Sequence, residues 1–186
     1  KLGDSYDSFT LGLNASSDSS QAVTIGQNAS TLTASTAVAI GVNAKWNQTG
    51  FAGISIGNGA GQATTSFGNS SIVIGVDAGA TTVGTSSVIL GSNGDGSGTG
   101  VVALGGNSSA TNTSAIAVGY ASTASGDGSI VLGRACTASA TNAYLLGTDN
   151  GGVNTNSVAN SLALGFNGTS NSFLFAQTAD TYLNGS

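Results

Sequence analysis

The residues that first suggest chemistry are Gly53-Ile54-Ser55-Ile56-Gly57, which match the G-x-S-x-G turn that presents a nucleophilic serine. Such a serine needs a base, and the chain contains no His. Ser55 also stands in a column held mostly by Ala, Val or Thr, so the match reads as structural. The run Gly94-Asp95-Gly96-Ser97-Gly98-Thr99-Gly100 has the glycine content of a phosphate or calcium loop. Phosphate loops need a Lys and a following helix, and calcium-binding rolls repeat an Asp in every coil, whereas Asp95 stands alone. A flexible turn is the expectation there. Asp77 and Asp149 share a turn column with Asn residues, which local capping explains without a metal. Cys136, the single cysteine, falls in a column of Ala, Ser and Gly and behaves as a small buried hydrophobe. No catalytic residue, cofactor site or metal site is expected, and the chain reads as a non-enzyme.

Composition narrows the partners. Charged residues make up 6% of 186, with eight Asp, no Glu and three cations, Lys1, Lys45 and Arg134. A phosphate backbone has almost nothing to hold, so no nucleic-acid partner is expected. No apolar run approaches the length of a membrane span, and no direct membrane insertion is expected. Leu, Ile, Val and Phe total 41 residues, just above the range where disorder is the default. Without an initiator Met or a signal peptide, the sequence reads as a piece of a longer or processed chain. Eight N-x-S/T sequons are close to what 17 Asn in a Ser/Thr-rich chain produce by chance, and they carry no inference.

The elements that must position any site are set by a repeat. Apolar, any, apolar, Gly recurs eleven times, ending at Gly12, Gly26, Gly41, Gly57, Gly75, Gly91, Gly105, Gly119, Gly133, Gly147 and Gly165. The shortest and commonest spacing is 14 residues, and longer intervals read as loop insertions. The positions three and one before each Gly are apolar in all eleven copies, the period-2 signature of a strand with one buried face. That pair is expected to form the core. The residue between them is apolar in eight of eleven copies, which implies burial on the second face as well, by packing against copies of the same chain. Two residues after Gly, nine of eleven copies carry Asn, Asp or Gly, which tolerate a positive-φ turn. The third residue after Gly is small almost throughout, and in the regular copies the fifth is small too (Ser17, Ala80, Gly96, Ala110, Ala124, Ala138), as a second strand in a narrow interior requires. The spacing thus predicts an all-β chain of roughly 14-residue coils, each with two short strands, stacked in parallel as a β-roll.

At this point the residues resemble a known family. Residues 116–133, IAVGYASTASGDGSIVLG, are similar to the head repeats of YadA-like trimeric autotransporter adhesins, with Ser122, Ala124, Gly126 and Ser129 on the small, small, Gly and Ser positions of that pattern. The likeness covers about residues 9–166. It implies a left-handed parallel β-roll, a homotrimer, and a place at the tip of an extracellular fibre on a cell or virion surface. The same repeat is reused in phage and large-virus attachment fibres, and Ala60-Gly61 and Ala78-Gly79 look like that variant. Neck, heptad stalk and membrane-anchor motifs are not found, so the resemblance is to the head alone. Residues 1–171 are read as the repeat head. Residues 172–186, with Phe173, Phe175 and Tyr182, break the repeat and read as a cap or a connector to a following module.

Large side chains outside the repeat columns are the candidate ligand contacts: Lys45, Trp46 and Asn47 foremost, then Phe51 and Phe67, with Tyr120 and Phe166 in similar places. Loops on a rigid scaffold commonly bind, although the same aromatics could instead cover roll edges or seams between chains. The leading expectation is a non-enzymatic attachment module that binds a host or neighbouring-surface protein or glycan. The alternatives are a phage or virus fibre domain and a self-assembling structural filament. Ice binding would need a regular Thr-x-Thr array, and the aligned columns show only Thr10 and Thr24.

Overall fold

A computed structural model describes residues 7–32, 36–47, 52–62, 68–79, 81–148, 154–166 and 173–176. Twenty strands and no helix are found among them. Eleven parallel strands form one long sheet, in the order β1 (Phe9–Leu11), β3 (Gln21–Ile25), β5 (Thr36–Ile40), β7 (Gly53–Ile56), β8 (Ser71–Ile74), β9 (Val88–Leu90), β11 (Val102–Leu104), β13 (Ile116–Val118), β15 (Ile130–Leu132), β17 (Ala143–Thr148) and β19 (Ser161–Phe166). A twelfth, β20 (Phe173–Ala176), pairs antiparallel with β19. Two shorter parallel sheets form the opposite wall. One contains β2 (Ser16–Ser17), β4 (Ser30–Leu32) and β6 (Lys45–Asn47). The other contains β10 (Asp95–Gly96), β12 (Ser109–Ala110), β14 (Thr123–Ala124), β16 (Cys136–Ala138) and β18 (Asn154–Asn156). The chain is a parallel β-solenoid, as the repeat predicts.

Register follows the repeat without slippage: Val102, Ala103 and Leu104 pair with Ile116, Ala117 and Val118, which pair in turn with Ile130, Val131 and Leu132. The turn after each long-sheet strand explains two columns. Repeat glycines from Gly12 to Gly133 have φ between 131° and 148°, a region that side chains rarely adopt. A Cβ on any one of them would overlap the carbonyl of the next repeat glycine, so the column is a stack of Gly on Gly. Two residues later Asn14, Asn28, Asn43, Gly59, Asp77, Asn93 and Asn107 all have φ of 52–66°, and Ala121 and Ala135 adopt the same conformation at 54°. A second left-handed position at the return turn (Ser70, Ser86, Gly100, Ser114, Gly128, Asn142, Asn160) carries no residue preference strong enough to be read from sequence.

The interior is the reverse of the expectation for the long sheet. The buried column is the middle residue: Thr24, Ala39, Ser55, Val73, Ile89, Ala103, Ala117, Val131, Leu145 and Ala163 are all 0% exposed. The invariant apolar pair on either side of it points outward. The two sheets of one coil face each other across a narrow gap lined by Ala29, Ala44, Ala60, Ala78, Ser108, Ser122 and Cys136, all buried, and the middle residues, from Ala103 up to Ile89 and Leu145, fill it.

Volumes compensate coil by coil. Where Ile89 and Val101 fill the inside, the facing residues are Gly94, Gly96 and Gly98, and a Cβ on Gly96 would lie 3.0 Å from both side chains. The glycine-rich run is therefore not a flexible turn throughout: Asp95–Gly96 is strand β10, and its glycines make room for Ile89 and Val101. Buried Ser71, Ser87 and Ser129 bind the return turns, with Ser71 Oγ donating to the Gly84 carbonyl at 2.7 Å and Ser87 Oγ to that of Gly98 at 3.0 Å. Ser129 Oγ accepts the Gly126 N–H at 3.2 Å. The end coils are more polar inside: Thr31 Oγ1 donates to Ser17 Oγ at 3.0 Å and lies 2.9 Å from Thr24 Oγ1, while Asn156 and Ser161 bond one another in the last coil.

Candidate functional site

The G-x-S-x-G match dissolves on inspection of its parts. Gly53 is glycine because the Trp46 ring occupies the space where its Cβ would be. Ser55 is wholly buried in the interior column, and its hydroxyl has no partner among the described residues. Gly57 is a repeat glycine at φ 136°. Three residues with three structural reasons thus reproduce a catalytic motif. Among the described residues there is also no cluster of three or more His, Cys, Asp or Glu able to hold a metal. Cys136 is buried, and its Sγ donates to the Arg134 carbonyl at 3.3 Å.

The candidate contacts Lys45, Trp46 and Asn47 do not lie on an inserted loop: they form strand β6. Trp46 is 0% exposed and packs in the core, so it presents nothing to a ligand. The alternation of the strand sends residue 46 inward, and Gly53 admits the ring. Lys45 is half-buried and pairs with Ser30 in the neighbouring strand. Phe51 and Phe67 lie outside the described residues, as does Asp149. Tyr120 is exposed on a turn, with its ring beside Gly106.

What the structure brings together is a pair of faces with opposite chemistry. On the long sheet, Phe9/Leu11, Val23/Ile25, Val38/Ile40, Ile54/Ile56, Ile72/Ile74, Val88/Leu90, Val102/Leu104, Ile116/Val118, Ile130/Leu132, Tyr144/Leu146 and Leu162/Leu164 all remain half-buried or exposed. Exposure reaches 58% at Leu11 and 42% at Leu132 and Leu146. Eleven strands at ~4.8 Å spacing make this two-residue-wide apolar face roughly 50 Å long, and no charged residue interrupts it.

Behind it, the outward column of the five-stranded sheet reads Asp95, Ser109, Thr123, Thr137, Thr155 in direct register. The hydroxyls of Ser109, Thr123, Thr137 and Thr155 form a row, headed by Asp95, that lies outside the repeat columns compared in the sequence. Along the turn between the faces, Asn14 donates to Asn28 at 3.3 Å and Asn28 to Asn43 at 3.2 Å, an exposed side-chain ladder. Compared with protein-family models and with curated proteins, the chain matches none.

Proposed function

We propose that this chain is a non-enzymatic attachment module, in which copies of the roll pack through the apolar face of the long sheet and turn the hydroxyl-bearing face toward another surface. The observation that carries this reading is the apolar pair itself: every described copy lies outside the coil, so a core-like column is left uncovered by its own chain. Exposed apolar patches of this extent mark association sites. An isologous or cyclic assembly would cover them over their whole length because the repeat has a constant register.

The resemblance to YadA-like heads supplies the number three and the setting, a fibre on a cell or virion surface. The Ser/Thr and Asn rows suit hydrogen bonding to a host or neighbouring protein or glycan, with avidity from several chains. Lys45 lies in the outward row of the three-stranded sheet on that same side.

Light scattering of the purified chain over a range of concentrations tests the assembly, and a fixed mass near three chains is expected. A monomer at all concentrations refutes it. Binding to immobilised glycans and matrix proteins tests attachment: a Thr123→Asp, Thr137→Asp variant should lose capture while keeping the same mass. Equal capture by that variant would remove the hydroxyl face from the reading.

A further inference from the structure

The last parallel strand is an ordinary coil with an extraordinary neighbour. β19 carries Leu162-Ala163-Leu164-Gly165, with Ala163 buried and the two leucines half-buried outside, the same alternation as the strands from β3 onward. Its edge away from β17 is therefore the edge on which the next parallel coil would be built. β20 occupies that edge in the reverse direction, placing Phe175, Leu174 and Phe173 opposite Leu162, Ala163 and Leu164. It makes the single antiparallel pairing among the described strands of the long sheet.

At the opposite end, β1 has the same pattern, and Phe9, Thr10 and Leu11 pair with Val23, Thr24 and Ile25 in the ordinary register. Among the described strands β1 has a neighbour on one side only. Proteins usually guard such edges with Lys, Pro or inward charges. This chain has three cations in 186 residues and no Pro. The short sheet is not closed by a strand either, since β18 pairs with β16 alone among the described strands.

We propose that the C-terminal edge of the long sheet is a strand-accepting site, filled in cis by β20 and able to take in trans the β1 coil of a second copy of this chain. In that register Phe9, Thr10 and Leu11 of the second copy would fall opposite Leu162, Ala163 and Leu164, continuing both the outward apolar pair and the interior column. β20 is then the element that keeps rolls from joining end to end. This contact is distinct from the lateral packing proposed above and does not rest on it: lateral packing sets a fixed mass, whereas end-on joining gives a ladder of masses.

The test uses the full chain with β20 broken. In an antiparallel pair alternate residues bond the partner, so Leu174→Pro and the double variant Phe173→Pro, Phe175→Pro between them remove the N–H groups that face β19. Sedimentation velocity should show one mass for the unaltered chain. The variant that frees the edge should show a several-fold rise in mean mass with concentration, in multiples of that unit. A synthetic peptide of residues 172–186, added in excess, should return the variant to the single mass. Thr10→Pro in the same background should also abolish the ladder. Neither variant changing mass, or the unaltered chain already forming the ladder, would overturn the proposal. A mass rise that the peptide and Thr10→Pro both leave untouched would overturn it too, since that is the behaviour of unfolding or nonspecific aggregation.

Discussion

Leu132→Lys separates the two roles that one apolar column could serve. Leu132 is 42% exposed, flanked in register by Val118 and Leu146 on the outer face of the long sheet. Within a single roll the aliphatic stem of Lys keeps most of the contacts that Leu132 makes, so the fold should lose less than about 1 kcal/mol. Between rolls the arithmetic differs. Covering the exposed share of Leu132 recovers about two-fifths of the roughly 1.5–3 kcal/mol of a full Leu burial, or about 1 kcal/mol per chain. Three copies forfeit about 3 kcal/mol, on the order of a hundredfold in the association constant. Each ammonium drawn into the interface adds a desolvation cost of several kcal/mol.

Light scattering at matched concentrations should therefore find the variant dissociated, while far-ultraviolet circular dichroism stays near that of the unaltered chain and the urea midpoint falls only by the share of stability that association supplied. Thr123→Lys, on the outward face of β14, is the control and should leave the mass unchanged. A Leu132→Lys chain that keeps the unaltered mass would refute the reasoning, as would a Thr123→Lys chain that dissociates equally.

Other expectations follow from the interior. Ser55→Ala replaces a buried, unpartnered hydroxyl by the residue found at Ala39 and Ala103, so denaturant unfolding should show unchanged or increased stability, by up to about 1 kcal/mol. Gly53→Ala overlaps the Trp46 ring and should cost about 1–3 kcal/mol, with part of the loss restored by adding Trp46→Leu; a double-mutant cycle checks the coupling. Gly105→Ala meets both a φ of 131° and the Gly119 carbonyl, whereas Asn107→Ala adopts a conformation that Ala121 already holds. Thermal unfolding should accordingly show a loss of several kcal/mol for Gly105→Ala and about 1 kcal/mol for Asn107→Ala.

The order of elements was legible in the residues because a solenoid is nearly one-dimensional: each coil meets only its neighbours, and a repeat in sequence becomes a repeat in space. The left-handed Asn column and the small third column each follow from a local steric rule, and the structure places both as the spacing predicts, whereas the stacking of Gly on Gly appears only once the coils are superposed. Period 2 determined that each long-sheet strand has two different faces, yet it does not say which face is inside. That was decided by the distance between the two sheets. A narrow gap lined by Ala29, Ser108 and Cys136 takes the middle residue of each strand, from Ala103 up to Ile89 and Leu145, and strand alternation then leaves the apolar pair beside it outside. The same gap took Trp46 inward, and only Gly53, seven residues away and one coil on, makes that possible. Local patterns record what a strand can bury; the separation of the walls determines what it does bury.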